Sequence, residues 1–460
     1  MTLQDIPHIY FLGIGGIGMS ALARYFHVQG KRVSGYDKTS TPLTQQLERE
    51  GMAIHYEDNL NLVHEAIRAD KDNVLVVYTP AIPIDHSEYN FFLNNGYTLL
   101  KRSQLLGMVT ENSFCIGVAG THGKTTTSTL ISHLLRRGGI DCSAFLGGIS
   151  ANYNTNLLLG NGTYKGKPVV VVEADEFDRS FLTLSPDIAV ITSTDADHLD
   201  IYGAHDALKQ SFLDYSNKLK SGGHLYIRSS LPVIPDLTVA YTAYALNEQA
   251  AVKGTNLRIE DAMYTFDLHI NGKVIRDLML GIPGRHNVEN AVVASAVALH
   301  MGVSEEDLRV GLAGFRGAKR RFEYILRNSR VTYIDDYAHH PEEIRAFLSS
   351  VKEMYPGKKV TAIFQPHLYS RTRDFAQGFS DSLSLSDDLI LLDIYPAREL
   401  PIPGVTSNML LENVTLQNKI LCAKENLIDL LRQRTPEVLV TIGAGDIDQL
   451  VEPIKHLYEE

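Results

Sequence analysis

An apolar stretch, Phe114-Cys115-Ile116-Gly117-Val118, runs into Gly120-Thr121-His122-Gly123-Lys124-Thr125-Thr126-Thr127. From Thr125 a helix-forming pattern continues to Arg137, where Gly138-Gly139 stops it. A strand, a glycine turn, a Lys-Thr pair and a helix in that order leave few choices of fold. They dictate an α/β layer with the loop at the C-terminal end of its strand, and they suit a polyphosphate. Glycines let backbone N–H groups approach phosphate oxygens, the helix N-terminus adds a positive dipole end, Lys124 supplies a point charge, and Thr125 offers a hydroxyl to Mg²⁺. The loop is short: only Thr121 and His122 separate Gly120 from Gly123, where the common pattern has about four residues.

The rest of the chain keeps the same alternation. Ile9-Tyr10-Phe11-Leu12 reads as a strand, followed by Gly13-Ile14-Gly15-Gly16-Ile17-Gly18 and a helix through Tyr25 and Phe26. A second strand over 31–36 ends at Asp37, and Val74 to Tyr78 reads as a buried one. Near Met108 a second unit begins. Its runs Val169–Val172 and Asp187–Ile191 are continuously apolar, as in strands covered on both faces. An antiparallel patch is expected over 264–280, then an Ala/Val-rich helix after Gly284-Arg285-His286-Asn287. A third unit, from about Phe315, shows strands at 331–335, 360–364, 389–392 and 438–442. At 460 residues and about 150 per domain, three domains are expected: 1–107, 108–314 and 315–460. The βαβ alternation makes the class α/β with mostly parallel sheets.

Composition narrows the partners. With 43 basic and 54 acidic residues the net charge is −11, which disfavours nucleic acid and anionic membrane. The three cysteines, Cys115, Cys142 and Cys422, lie far apart in or beside apolar runs, with neither a disulfide framework nor metal-ligand spacing. No run of about 18 apolar residues occurs, so neither a membrane span nor a secretory leader is expected. The chain reads as cytoplasmic.

Several constellations carry chemistry. Gly13, Gly15 and Gly18 fit a dinucleotide fingerprint, with Asp37 as its acid; the same turn serves any pyrophosphate, a UDP-sugar included. Glu173-Ala174-Asp175-Glu176 follows one strand, and a carboxylate there is where Mg²⁺ is held beside a phosphate loop. Asp195-Ala196-Asp197-His198 follows the next strand, placing His198 for a second metal or a transferred phosphoryl group. His286, Asn287 and Asn290 open a helix, with amides suited to an adenine edge. Arg320-Arg321 is a short basic pair. Asp335-Asp336-Tyr337-Ala338-His339-His340-Pro341 and Gln365-Pro366-His367-Leu368-Tyr369-Ser370-Arg371 follow strands of the last unit. The His339-His340 pair lacks a third ligand at zinc spacing, so substrate contacts at the strand ends are preferred.

Taken in order, these motifs resemble the Mur ligase family, the ATP-dependent amide ligases of peptidoglycan precursor synthesis, over essentially the whole chain. Gly13–Ser20, Gly120–Thr126, Glu173–Glu176, Ala196–His198, Gly284–Asn287, Arg320–Glu323, Asp335–Pro341 and Phe364–His367 carry the likeness. The short phosphate loop is that family's form. The resemblance implies a Rossmann-like N-terminal domain for a UDP-sugar, a central P-loop ATPase-type mononucleotide-binding domain, and a Rossmann-like C-terminal domain. It implies that ATP phosphorylates the lactyl carboxylate of UDP-N-acetylmuramate, and that the amine of L-alanine displaces the phosphate.

The resemblance also distributes roles. Gly15, Gly16, Ile17, Gly18, Met19, Ser20 and Asp37 would bind the UDP-sugar. Gly120, Thr121, His122, Gly123, Lys124, Thr125 and Thr126 would wrap the phosphates, with Lys124 on the β- and γ-groups. Thr125 and Glu173 would hold one Mg²⁺ and His198 a second, Mn²⁺ serving as substitute. His286, Asn287 and Asn290 would surround adenine, Arg320 reach the phosphates, and Asp336 the ribose. Tyr337, His339 and Arg371 would face the amino acid and the muramoyl group. Lys124, Glu173, His198 and Arg320 are the catalytic set. Small molecules are the expected partners, and the expected state is a monomer or weak homodimer.

Two positions depart from the family pattern. Leu368 stands where many members have arginine, so that either Arg371 does more to meet the alanine carboxylate or Arg373 assists. Phe177 stands where many have serine. Lys209 lies at the distance from His198 at which other members carry a carbamylated lysine; that modification is not expected here. The competing readings are a recycling ligase that adds a murein tripeptide to the same sugar, a folylpolyglutamate synthetase, an NAD-dependent dehydrogenase and a non-catalytic ATP-binding regulator. The dehydrogenase reading leaves the phosphate loop and both acidic clusters unexplained.

Overall fold

A computed structural model describes the chain apart from residues 1, 2, 4, 196–204, 261, 262, 398 and 460. The fold is α/β with three domains, in two compact units: Met1–Lys253 with Val293–Gly311, and Gly254–Val292 with Leu312–Glu460.

The first unit holds two sheets. The N-terminal sheet comprises β1 (His8–Leu12), β2 (Arg32–Tyr36), β3 (Ala53–His55), β4 (Val74–Tyr78) and β5 (Thr98–Lys101). All pair in parallel in the order β3-β2-β1-β4-β5. β1 is central because Ile9 to Leu12 are buried on both faces. Strand order reverses between β1 and β4, which opens a crevice beyond the C-terminal end of β1. The glycine loop Gly13–Gly18 lies there, leading into the helix Ile17–Val28.

The second sheet comprises β6 (Phe114–Ala119), β7 (Ser143–Ser150), β8 (Thr155–Leu158), β10 (Lys167–Glu173), β11 (Ile188–Ile191), β12 (His224–Arg228) and β13 (Tyr241–Leu246). Their order is β13-β12-β11-β6-β10-β7-β8; the short β9 (Thr163–Tyr164) pairs with β10. β6 is central, parallel to both β10 and β11. β6, β11 and the Val169–Val172 stretch of β10 are buried, as their apolar runs require. The helix expected from Thr125 spans Lys124–Arg137, and every residue from Thr125 to Leu135 is buried. One apolar core runs through the unit, joining Phe11, Phe26 and Leu105 to Phe145, Phe181 and Tyr215.

The second unit contains an antiparallel segment and a six-stranded sheet. β14 (Val252–Glu260) enters it, followed by β15 (Met263–Ile270) and β16 (Lys273–Leu280). β15 and β16 form the hairpin expected over 264–280. Their turn is Asn271-Gly272, both at positive φ, +51° and +73°, the mirror-image turn that matches strand twist and favours this dipeptide. The C-terminal sheet comprises β17 (Glu323–Arg327), β18 (Thr332–Asp336), β19 (Val360–Phe364), β20 (Asp388–Leu391), β21 (Asn418–Leu421) and β22 (Val438–Ile442). The order is β17-β18-β22-β19-β20-β21, antiparallel only at β17. Tyr333, Ile363, Ile390 and Leu439 anchor its core. Among the described residues no helix is long and apolar enough to cross a membrane.

Candidate functional site

In the first unit the loop leaving β6 is shaped by two glycines. Gly120 has φ +139° and Gly123 φ +82°, conformations that L side chains rarely adopt. A Cβ on Gly120 would lie 2.1 Å from Thr192 Oγ1 and 2.8 Å from Ser193 N, so the loop needs a bare backbone against the segment after β11. That segment fastens the loop. Thr121 N donates to Ser193 O (3.2 Å), and His122 N donates to Ser193 Oγ (2.7 Å). Thr121 Oγ1 and Ser193 Oγ are 2.9 Å apart, and Thr192 Oγ1 donates to His122 O at 2.5 Å. Asp195 N then donates to Thr121 Oγ1. The loop conformation is thus set by the protein's own hydrogen bonds, and the helix that follows points its N-terminal amides along it.

Lys124 folds back over the loop. Its Nζ donates to Gly120 O (2.7 Å) and to Glu176 Oε1 (2.9 Å). The Lys124 side chain is 13 % exposed and that of Glu176 is 0 % exposed. Burial alone would lower the Lys124 pKa, but the carboxylates of Glu176, Asp175 and Glu173 outweigh it and raise it above the ordinary lysine value. Thr125 and Thr126 are buried at the start of the helix.

Glu173 ends β10 beside Val118 of β6 in the parallel register, which puts its carboxylate one strand from the loop. Gly147 of β7 seats it: Gly147 N donates to Glu173 Oε2 (3.0 Å), and a Cβ there would lie 2.3 Å from both carboxylate oxygens. An ionised carboxylate with a threonine hydroxyl is the oxygen-only donor set that Mg²⁺ takes, so these residues fit that ion. His198 lies outside the described residues. Lys209 pairs with Asp236 at 2.6 Å.

At the N-terminal glycine loop, Asp37 accepts from Gly15 N (2.7 Å) and Thr39 N (3.1 Å). Gly15 is needed because a Cβ would meet Thr44 Cγ2 at 2.7 Å and the Asp37 carboxylate at 2.8 Å. The helix from Ile17 has no side-chain cap at Gly16, which leaves its first amides for a ligand. Met19 and Ser20 are buried, with Ser20 Oγ donating to Ile17 O. Arg102 lies against Gly18, where an added Cβ would be 2.9 Å from its guanidinium nitrogen.

The remaining candidates belong to the second unit. His286, Asn287 and Asn290 share the start of the helix Arg285–His300. Asn287 Nδ2 donates to Pro283 O (2.6 Å), and its Oδ1 faces Asn290 Nδ2 at 3.5 Å. Burial pushes the His286 imidazole down to about 4, so it is neutral at pH 7, and its Nδ1 meets no described hydrogen-bond partner. Arg320 is held by Asp335 (Nε to Oδ2, 2.9 Å) and by Gly443 O. Asp336 accepts from Phe322 N and Ala338 N, both at 2.7 Å, and burial raises its carboxyl to about 7. The expected ribose ligand thus already serves two backbone amides.

Tyr337 lies within cation–π range of Arg320 (5.4 Å) and Arg321 (5.0 Å). The His339 ring is 5.3 Å from it. His339 Nδ1 donates to Tyr337 O, and burial takes its pKa down to about 4, leaving Nε2 to accept. Glu343 ties this group together: it accepts from His339 N (3.0 Å) and lies 3.9 Å from Arg321. Its field, with that of Arg321, reaches His286 as well as His339, and Arg371 acts on His339 too. Leu368, before the short helix Tyr369–Asp374 that carries Arg371, has φ +70°, a strained state for a bulky residue. Arg373 is paired with Asp374.

Sequence reasoning missed Gly147, Thr192 and Ser193, and the pairing of Asp335 with Arg320. It also missed the partnership of Glu176 with Lys124, and Glu343. Only Glu343 left a signal, as the third residue of a helix opened by Pro341, where an acid caps the amides.

Comparison with known proteins gives the same assignment. Three family models match in sequence: the Mur ligase family catalytic domain over residues 8–113, the Mur ligase middle domain over 118–298, and the Mur ligase glutamate ligase domain over 320–445. The chain is 49 % identical over 460 residues to a UDP-N-acetylmuramate–L-alanine ligase of Flavobacterium johnsoniae, covering 100 % of both. It is 50 % identical to one from Parabacteroides distasonis, covering 99 % and 98 %. The crystal structure of UDP-N-acetylmuramate–alanine ligase MurC from Thermotoga maritima superposes with a TM-score of 0.80 at 27 % identity, over 98 % of this chain and 99 % of that one. With all three models matching in order and near half of the residues shared end to end, the chain belongs to the Mur ligase family.

Proposed function

We infer that this chain joins L-alanine to the lactyl carboxylate of UDP-N-acetylmuramate at the expense of ATP, in peptidoglycan synthesis. The single observation that carries this is the near-50 % identity to curated alanine ligases along the full length of both chains. The chemistry follows from elementary considerations. A carboxylate resists amines because oxide is a poor leaving group. Attack of a lactyl carboxylate oxygen on the ATP γ-phosphorus, with the bond to ADP breaking, gives an acyl phosphate and ADP. The alanine nitrogen attacks the acyl carbon, the carbon–oxygen bond to phosphate breaks, and the amine's proton leaves.

The roles assigned to side chains are part of the proposal. Gly120 to Thr126 wrap the nucleotide phosphates, and Lys124 neutralises charge on the group being transferred. Thr125 and Glu173 hold Mg²⁺, and His198 a second ion. Bound Mg²⁺ supplies charge neutralisation and in-line orientation of the phosphoryl group. Gly15 to Ser20 take the UDP pyrophosphate on the uncapped helix. His286, Asn287 and Asn290 take adenine, and the unsatisfied His286 Nδ1 is suited to a base edge. Arg320 takes phosphate and Asp336 the ribose. Tyr337, His339 and Arg371 take the muramoyl group and amino acid. The three free, buried thiols suit a reducing compartment, and with ATP as substrate we place the enzyme in the cytoplasm.

The deciding assay is ADP release with Mg²⁺-ATP and UDP-N-acetylmuramate, with and without L-alanine, and mass analysis of the product. Alanine-dependent release and a product heavier by one alanyl residue are expected. Turnover with the L-Ala-γ-D-Glu-diaminopimelate tripeptide and none with alanine would replace this reading by the recycling ligase.

A further inference from the structure

The short helix that carries Arg371 starts from a strained residue and is held by a loop some thirty residues away. Leu368, just before Tyr369–Asp374, has φ +70° and ψ +135°, a combination that leucine adopts only where its surroundings impose it. The segment after β20 imposes it. Leu368 N donates to Tyr395 O (3.0 Å), and Tyr395 N donates to Pro366 O (2.8 Å). The His367 and Tyr395 rings stack with their centroids 5.7 Å apart. Four residues beyond Tyr395, Glu399 reaches the helix itself. Its Oε2 accepts from Ser370 N (2.9 Å) and its Oε1 from Ser370 Oγ (2.5 Å). Burial alone would raise the Glu399 pKa, but the Ser370 hydroxyl and amide and the Tyr369 amide outweigh it and hold the carboxyl below its ordinary value. The anion therefore sits at the positive end of the helix at neutral pH.

We propose that Glu399 is a positioning residue for the amino-acid substrate, which caps the helix Tyr369–Asp374 and so fixes where Arg371 stands. The inference rests on the placement of Arg371 against the amino acid proposed above. A helix of six residues does not hold itself, so its place is set by what grips its first turn. Arg371 is its third residue, directly after Ser370, and its charge reaches His339. Without Glu399, Leu368 is free to relax toward an ordinary φ, and the start of the helix turns with it. Arg371 is carried along. A guanidinium grips a carboxylate through two parallel N–H···O bonds, which such a displacement spoils. The α-carboxylate of alanine takes no part in bond making, so it is bound alike in ground state and transition state. Its loss therefore appears in KM for alanine and spares kcat.

Steady-state ADP release by the full chain, with each of the three substrates varied in turn, reads the effect. Glu399→Ala is expected to raise KM for L-alanine roughly tenfold, the value of one charge-assisted contact. Its kcat at saturating alanine, and KM for Mg²⁺-ATP and for UDP-N-acetylmuramate, should hold at parental values. Glu399→Gln keeps one oxygen for Ser370 and should show a smaller rise. Arg371→Ala should raise KM for alanine by itself, and adding Glu399→Ala to it should change nothing further, because Glu399 acts through Arg371. If Glu399→Ala does not fold, Ser370→Ala, which removes one of the donors, should give a smaller rise of the same kind. A parental KM for alanine in folded Glu399→Ala, an equal rise in KM for ATP, or effects that multiply with those of Arg371→Ala would overturn the role of Glu399. A parental KM for alanine in Arg371→Ala itself would overturn the placement of Arg371, and this inference with it.

Discussion

Replacing Gly147 by alanine tests whether the placement of Glu173 matters or only its presence. The new methyl would sit 2.3 Å from both carboxylate oxygens, about 1 Å inside an ordinary contact. The obstructed atoms are the end of a flexible side chain, so Glu173 swings away and the strand stays. The stability loss should be small, about 1 kcal/mol for the off-rotamer side chain and the weakened bond to Gly147 N. The effect on rate should be large, because moving a catalytic group by about 1 Å costs on the order of 10²-fold. Gly35→Ala is the matched control: its methyl would lie 2.3 Å from the backbone oxygen of Phe11, an atom that cannot swing, so stability should fall by several kcal/mol. The assay is Mg²⁺ dependence of ADP release beside thermal melting. Gly147→Ala should melt near the parent and turn over about a hundredfold more slowly, with a raised Mg²⁺ requirement. Parental turnover at ordinary Mg²⁺ would refute the claim that the seat of Glu173 is set by the missing side chain.

Three further outcomes are expected. Ser193→Ala leaves His122 N without its acceptor; the KM for ATP should rise about tenfold with little change in KM for L-alanine, as steady-state kinetics would show. Asp37→Ala frees Gly15 N and Thr39 N and should weaken UDP-sugar binding about tenfold by titration, while unchanged affinity would make Asp37 a loop cap only. Glu88, fully buried, accepts from Tyr10 Oη (2.6 Å) and Asn59 N, and burial pushes its pKa up from 4.5 to about 7. The folded state therefore holds a proton between those values that the unfolded chain has released, so stability falls as pH rises through this window, by about 3 kcal/mol, and levels off above it. Glu88→Gln mimics the protonated form, and its melting temperature should lose less than the parent's between pH 5 and pH 8.

The parts legible in the sequence share one property: they are local. The phosphate loop is eight consecutive residues, Val169–Val172 of β10 and all of β11 are unbroken apolar runs, and the β15–β16 hairpin announces itself through Asn271-Gly272. What was hidden depends on register between distant segments. Ser193 reaches Thr121 and His122 across about seventy residues because β11 lies beside β6. Gly147 looks like any glycine that weakens a strand until β7 is laid against β10, in the register that brings it to Glu173. Asp335 and Asp336 looked alike as acids at a strand end. Alternation along β18 sends one to Arg320 and the other to backbone amides.

The order of the C-terminal sheet bears on how the protein is made. β22, the last strand of the chain, is inserted between β18 and β19 and hydrogen-bonds to both. Until Val438–Ile442 has left the ribosome, β18 and β19 each present a bare backbone edge to the gap that β22 fills, and no smaller version of the sheet can close. A message cut short before Val438 yields two half-sheets with sticky flanks rather than a slightly trimmed enzyme. Completion of synthesis is thus a checkpoint for this domain, and premature stop codons near the end of the gene should yield material for proteases, with no partial activity.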